Sequence, residues 1–192
     1  MGKFIKQAAA VLVAGVLATP AFATQETFDL AWSGASFGNT ATATGEITID
    51  TSVINTNYNE IAFPDSRITD LSITISGASA GNGTFGLSDF SFLVVWAPGS
   101  LDFSRQLVGQ SQPGGTTWGV PDGASGDFNI FGNSADAPIG TSYFELTTAD
   151  YSGDPMLLTS MTAAVPEVQN VSMMLAGLGL VGFAARRRKT RA

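Results

Sequence analysis

Most side chains in this sequence that could do chemistry are carboxylates. The chain has no histidine and no cysteine, which excludes Ser-His-Asp triads, Cys-His dyads and the usual zinc sites. No lysine lies between Lys6 and Lys189, which excludes Schiff-base and P-loop lysines there. Two carboxylates at a suitable separation can hydrolyse a glycoside. A secreted carboxylate-dependent hydrolase is therefore one hypothesis, with Glu46, Glu60 and Glu145 as candidates that also fit solvated strand edges or loops.

Calcium binding is a second possible use of the acidic residues. Ca²⁺ takes six to eight oxygen ligands, which flexible loops of Asp and Asn supply. The spacing in this chain does not match the EF-hand pattern, and the same residue types form turns without any metal. Ca²⁺ is the one candidate cofactor, and its candidate ligands lie in a Gly-rich stretch at Asp122, Asp127, Asn129, Asn133 and Asp136.

The larger aromatic side chains suggest a third chemistry, the stacking of sugar rings. Aromatic rings offer a broad apolar face, and Tyr and Trp add a polar group at one end. The candidates for such a platform are Trp96, Phe103, Trp118, Phe128 and Tyr143. The same residues also fit a hydrophobic core or loop anchors, so carbohydrate binding is a hypothesis to compare with the structure.

Short strands must position these side chains. Alternation of apolar and polar residues at 46–50 and 71–75 predicts two strands, in which alternate side chains face a core. Residues 90–96 are apolar on both faces and predict a central strand. Further strands are predicted at residues 27–32, 143–148 and 156–164.

Clusters of Gly, Pro, Asn and Asp separate these runs and predict turns. No convincing helical period occurs between residues 24 and 165. The sequence therefore predicts an all-β fold, an antiparallel β-sandwich of two sheets with a jelly-roll-like arrangement. Residues 109–140, rich in Gly, Asp and Pro, are predicted to form long loops at one end, with short strands between them.

The N-terminus is typical of a secretory signal peptide. Lys3 and Lys6 precede an apolar stretch, and the helix breaker Pro20 is followed by an A-x-A cleavage pattern. The alternative, a buried N-terminal helix, gives no reason for the two lysines or for the proline. Cleavage is predicted directly after the pattern formed by Ala21 and Ala23, so residues 1–23 would be removed.

The C-terminus predicts a membrane anchor, a transmembrane helix over residues 168–185. Its strictly apolar core, residues 171–185, would span roughly 22 Å as a helix, against a hydrocarbon layer of about 30 Å. Arginine side chains that reach back to the headgroups can make up the difference. The basic end would remain in the cytoplasm, and it consists of Arg186, Arg187, Arg188, Lys189 and Arg191.

This C-terminal tail resembles the PEP-CTERM sorting signal of Gram-negative bacteria. Val165, Pro166 and Glu167 precede the apolar run and the arginine cluster, and Val168 stands where the motif usually has its final proline. The resemblance covers about the last 25 residues of the chain. It implies recognition and cleavage by an exosortase, a membrane cysteine transpeptidase. It also implies a secreted or surface protein, often associated with exopolysaccharide and biofilm matrix.

Three regions follow: a signal peptide (1–23), an exported β-domain (24–164) and a sorting tail (165–192). Residues 24–164 contain fifteen acidic and two basic residues, a formal net charge of −13. Such a surface repels nucleic acid. The expected partners are signal peptidase, the exosortase, the inner membrane before processing and, through the resemblance, exopolysaccharide.

The leading functional hypothesis is a non-enzymatic surface or matrix protein, exported across the inner membrane and anchored there only until its tail is processed. It would then lie in the periplasm, at the cell surface or outside the cell. The alternatives are a carbohydrate- or calcium-binding β-sandwich module and, less favoured, the carboxylate-dependent hydrolase described above.

Overall fold

A computed structural model describes residues 25–54, 58–121 and 126–164 of the chain. These residues form ten strands and very little helix. The strands are β1 (Gln25–Ser33), β2 (Thr42–Asp50), β3 (Asn59–Ala62), β4 (Ile68–Ser76), β5 (Gly83–Gly86), β6 (Phe90–Trp96), β7 (Asp127–Gly132), β8 (Ile139–Gly140), β9 (Glu145–Thr147) and β10 (Pro155–Ala163). The helical segments in this part of the chain are one α-helical turn, α1 (Thr51–Ile54), and 3₁₀ turns at Ala35–Phe37, Leu87–Asp89 and Pro113–Gly115.

All ten strands belong to one curled antiparallel sheet. Their order is β3-β6-β7-β8-β9-β10-β1-β2-β4-β5. The predicted all-β, antiparallel fold is therefore confirmed. The prediction of two separate sheets differs from the observed hydrogen bonding, because the short strands β8 and β9 pair with each other and join β7 to β10.

The inner face of the sheet carries the hydrophobic core. Successive side chains of a strand point to opposite faces, so alternate residues are buried. Leu71, Ile73 and Ile75 of β4, predicted to face a core, are each at most 2 % exposed. β1, which lies beyond β2 in the sheet, follows the same pattern, with Phe28 and Leu30 buried in the same cluster. Period-two alternation therefore located the core face correctly.

The long connection between β6 and β7 fills the interior of the curled sheet. The Phe103 ring lies 5.8 Å from the Phe28 ring of β1, between centroids. The Leu107 amide donates to the Met161 carbonyl of β10 at 2.9 Å. Trp118, farther along the same connection, is completely buried. Trp118 belongs to residues 109–140, the segment predicted to form loops, so that part of the segment contributes to the core.

Two local features differ from the sequence prediction. The strand expected at 143–148 is shortened to β9, because Tyr143 and Phe144 adopt left-handed conformations with φ of 51° and 69°. A single helical turn, α1, follows β2 directly, and the Ser52 amide donates to the Asp50 side chain at 2.9 Å. Short polar side chains of this type compete with the strand ladder for backbone amides.

The predicted sorting elements lie outside the described residues. These are the signal peptide with Ala21 and Ala23, the motif at Val165, Pro166 and Glu167, the helix at 168–185 and the basic end. They remain predictions. None of the helices within 25–54, 58–121 and 126–164 has the length and apolar character needed to cross a membrane.

Candidate functional site

The candidate site is a patch on the outer face of three adjacent strands at one end of the sheet. In β3, β6 and β7, the inward positions hold core residues such as Ile61, Leu93 and Ile130. The residues between them point outward. We call this surface the β3-β6-β7 outer face, and its members are Tyr58, Glu60, Ala62, Phe92, Val94, Trp96, Asp127, Asn129 and Phe131.

Strand register places these outward residues in cross-strand rows. One row joins Glu60, Val94 and Asn129, and a second joins Ala62, Phe92 and Phe131. In a third row, Trp96 pairs with Asp127, and Tyr58, immediately before β3, continues this row. Opposite side chains in antiparallel pairs lie within contact distance of one another.

Aromatic rings supply the apolar part of this face. Phe92 and Phe131 stack with centroids 4.2 Å apart and an interplanar angle of 12°. Tyr58 is 59 % exposed at the edge of the sheet. Trp96 is partly exposed, whereas the other two tryptophans, Trp32 and Trp118, are buried. Phe92 and Phe131 are also only partly exposed, and Val94 and Asn129 in the row between are buried, at 6 % and 3 % exposed.

The structure separates the five aromatic residues proposed for sugar stacking. Trp118 and Phe128 belong to the core, where their rings meet edge to face at 6.3 Å. Phe103 packs against the core through Phe28. Trp96 and Tyr143 remain at the surface, and Tyr143 is 44 % exposed.

Sequence reasoning missed Tyr58, Phe92 and Phe131 as members of an aromatic surface. A signal was present for Phe92. Strand 90–96 is apolar on both faces. One of these two faces, with its aromatic side chains, must therefore point away from the core unless another layer covers it. Strand register then decides which residues of β3 and β7 lie beside that face.

Polar groups lie at the edge of the aromatic surface. The Tyr58 hydroxyl donates to Oε2 of Glu60 at 3.1 Å. Partial desolvation, that hydrogen bond and the negative charges of Glu60 and Asp127 raise the pKa of the Tyr58 phenol. Tyr58 therefore stays protonated at neutral pH. Together these groups can donate to and accept from a hydroxyl-rich ligand.

Asp127 anchors the backbone beneath this surface. Its Oδ1 accepts from the Phe128 amide at 2.9 Å, and its Oδ2 accepts from Nδ2 of Asn129 at 2.7 Å. The amides of Phe144 and Tyr143 also donate to this carboxylate. Burial nevertheless raises the pKa of Asp127, because desolvation outweighs these hydrogen bonds, which favour the charged form. Asp127 thus holds the left-handed turn before β9 against β7.

The structure does not bring the described calcium candidates together as a metal centre. The Asp127 carboxylate is occupied by N–H donors, and Nδ2 of Asn133 donates to the Ser88 carbonyl at 2.6 Å. Asp136 lies exposed in the turn after β7, and Asp122 is outside the described residues. Among residues 25–54, 58–121 and 126–164, no group of three or more acidic side chains could hold a metal ion.

Calcium titration provides a direct check of this arrangement. A metal at Asp127 would have to displace several N–H donors, so we expect Ca²⁺ at millimolar concentration to raise the melting temperature of the full chain by less than about 1 °C. Differential scanning calorimetry with Ca²⁺, and with Mg²⁺ as the control ion, measures this. An increase of several degrees specific to Ca²⁺ would contradict the expectation and support a site that includes Asp122.

The three glutamates considered for hydrolysis lie on different strands. Glu60 is on β3 and Glu145 on β9, which are four strand spacings or roughly 19 Å apart in the sheet. Glu145 accepts a hydrogen bond from the Thr141 hydroxyl at 3.1 Å. Glu46 lies directly opposite Asp29 of β1, beside a shallow outer-face depression of about 470 Å³. Sequence reasoning did not identify Asp29, because only strand pairing places it opposite Glu46.

Both arginines of the domain are engaged in ion pairs. Arg67 binds Asp65 through two nitrogens, Nε at 2.8 Å and Nη2 at 2.7 Å. These hydrogen bonds lower the pKa of Asp65 to about 2. Arg105 Nε lies 3.2 Å from Oδ2 of Asp102. Neither guanidinium lies on the β3-β6-β7 outer face, so that face has no positive charge from the described residues.

Known proteins offer no close relative for this chain. No family model matches it, no curated protein is significantly similar in sequence, and no solved structure is significantly similar in fold.

Proposed function

We propose that this protein is an exported, non-enzymatic surface or extracellular-matrix protein, sorted and processed through its C-terminal tail and associated with exopolysaccharide. The observation that carries the proposal is the order of elements at the C-terminus: Val165-Pro166-Glu167, an apolar run and a cluster of arginines. The resemblance of this tail to the PEP-CTERM signal supplies the exosortase as the processing enzyme. The signal-peptide pattern at the N-terminus agrees with the same orientation.

The exported part would be the β-domain. We propose that the curled sheet acts as a jelly-roll-like sandwich, with its two halves as the layers. The support is that strands from both halves and the connection between β6 and β7 contribute to a single buried cluster. Removal of the tail would also remove five of the nine basic residues of the chain, leaving the strongly acidic domain.

Mass spectrometry of the mature protein tests the sorting proposal. In cells with the exosortase we expect a product that lacks the basic end, and in cells without it a membrane-bound product with the tail intact. Glu167→Ala should also block processing, whereas Gln169→Ala, just outside the motif, should leave it unchanged. An intact tail in both strains, with the protein still in the membrane, would overturn the proposal.

A second candidate function is carbohydrate binding. The observation that favours it is the β3-β6-β7 outer face, where partly exposed aromatic rings lie beside hydroxyl and carboxylate groups. Ligand sites commonly combine aromatic surface with a few polar groups that orient the ligand. Co-sedimentation of the full chain with exopolysaccharide from the producing cells tests this candidate, and a failure to co-sediment would count heavily against it.

A further inference from the structure

We infer that the pairing of β1 with β10 sets the order in which the two ends of this chain are processed. The signal peptide leaves before β1 pairs, and the sorting tail is cleaved only when the strand pair next to the sorting motif opens. This inference rests on the sorting function proposed above and adds a restraint on it that the fold supplies.

Both ends of the described domain leave from one place. β1 and β10 are antiparallel neighbours, with Phe28 opposite Ala163, so the start of β1 lies beside the end of β10. The Ala164 amide, the last one in the described part of the chain, donates to the Thr27 carbonyl at 2.8 Å. Val165, the first residue of the predicted motif, follows Ala164 directly. No spacer in the sequence therefore separates the sheet from the motif.

The start of β1 is held at the same end of the sheet. Gln25 pairs with Asp50 of β2. Its side-chain amide donates to the Ser66 carbonyl at 2.8 Å and accepts from the Thr69 hydroxyl at 2.9 Å. Because the predicted signal-peptide cleavage lies two residues before Gln25, only one residue separates the scissile bond from the sheet. A peptidase that binds its substrate as an accessible extended chain therefore has to act before β1 pairs.

β10 is an interior strand, so its end does not separate freely from the domain. β1 lies on one side of it, and on the other side the Leu107 amide donates to the Met161 carbonyl at 2.9 Å. Ala163 packs against the core cluster that contains the fully buried Phe28. Cleavage of a chain that is held in this way depends on local opening. The population of the opened end of β10 then sets the rate at which the tail is removed.

A reversible cross-link tests the restraint. In an antiparallel hydrogen-bonded pair such as Thr27 and Ala164, the Cα atoms lie about 5.5 Å apart, a distance that a disulfide spans. The chain has no cysteine of its own, so Thr27→Cys with Ala164→Cys permits this single cross-link within one chain. In membranes that contain the exosortase, we expect the oxidised protein to lose its tail at least about tenfold more slowly, and a mild reductant to restore the rate.

The matched control for the cross-link is Thr27→Ser with Ala164→Ser, which changes the same two side chains and forms no disulfide. Intact mass measured over time should give this control the wild-type rate with and without reductant. N-terminal sequencing of the cross-linked protein should find the chain beginning at Thr24, because the cross-link forms only after the signal peptide has left.

A flexible spacer should act in the opposite direction. An insert of about six Gly and Ser residues between Ala164 and Val165 supplies accessible chain without any opening of β10, so we expect tail removal at least about threefold faster. The same insert between Ala135 and Asp136, in the exposed turn after β7, is the control and should leave the rate unchanged.

The outcomes separate this inference from the sorting proposal. If the wild type is processed and either the cross-link or the spacer leaves its rate unchanged, the pairing does not restrain the tail, and the inference is wrong while the sorting proposal stands. Cysteines that fail to cross-link, or a cross-linked protein that keeps its signal peptide, would also contradict the inference. A tail that stays intact in every variant, the spacer variant included, would overturn both.

Discussion

Replacing Trp118 with alanine should lower the free energy of unfolding by about 3–5 kcal/mol, the usual cost of removing a buried Trp or Phe side chain. The Trp118 ring is fully buried and meets Phe144 edge to face at 4.8 Å and Phe128 at 6.3 Å. Its indole Nε1–H donates to the Trp96 carbonyl at 3.2 Å. The variant leaves a cavity where the β6–β7 connection joins the sheet and leaves that carbonyl without its donor.

Thermal unfolding of the full chain, followed by near-ultraviolet circular dichroism, measures this loss. The natural control is Trp96→Ala, because Trp96 lies on the outer face and its removal opens no cavity in the core. We expect that control to cost about 1 kcal/mol or less. Equal losses from the two variants would contradict the division of the tryptophans into one core residue and one surface residue.

Replacing Asp127 with alanine should destabilise the fold by about 3 kcal/mol, because it removes the acceptor shared by several buried N–H groups. The amides of Phe128, Tyr143 and Phe144 and the Asn129 side chain all donate to this carboxylate. Tyr143 and Phe144 also have positive φ, a conformation that side chains other than Gly rarely adopt without support. We therefore expect β7 and the turn before β9 to separate before the rest of the fold. Amide hydrogen exchange should then be faster in both segments.

The stability lost in Asp127→Ala should change with pH in a definite direction. Burial raises the pKa of Asp127 above its ordinary value, so the folded state binds a proton more tightly than the unfolded state does. The stabilisation from this group is complete below the unfolded pKa of about 3.9 and declines as the pH rises through the folded pKa. The difference in stability between wild type and Asp127→Ala should therefore be larger at pH 3 than at pH 7.

Urea unfolding at both pH values provides the measurement. Asp136→Ala is a suitable control, because Asp136 is exposed in the turn after β7 and its replacement should change stability by less than about 0.5 kcal/mol. A difference for Asp127→Ala that grows from pH 3 to pH 7 would show that hydrogen bonding to the charged form outweighs desolvation.

Trp118 and Asp127 also support the β3-β6-β7 outer face. Asp127 belongs to the same outward row as Trp96, and the carbonyl of Trp96 accepts from Trp118 in the core. The aromatic surface is therefore attached to the core through the β6 backbone and to the left-handed turn through Asp127. Variants that test binding should be made at Tyr58, which is exposed at the sheet edge and does not take part in these supports.

Local sequence predicted the strands because their signal repeats every two residues. Alternation at 46–50 and 71–75 reflects one buried and one solvated face, and the structure has β2 and β4 there. The strands predicted at 27–32 and 156–164 are also confirmed, as β1 and β10. The residue types of Tyr143 and Phe144 favour extended backbone, so the sequence predicts a strand there. Their left-handed conformation depends on the Asp127 carboxylate of another strand, and no local pattern reports such a contact.

The sequence by itself determined the residue types available for chemistry, the acidic character of the domain and the alternation that divides each strand into two faces. Only the tertiary structure decided that Trp118 is buried and Trp96 reaches the surface, because Trp118 lies among Gly and Thr residues along the chain, whereas Trp96 ends an apolar strand. It also decided that Tyr58 and Asp127 lie on either side of Trp96. The physical reason is strand register, since cross-strand neighbours come from distant segments, and their pairing depends on burial of the whole core.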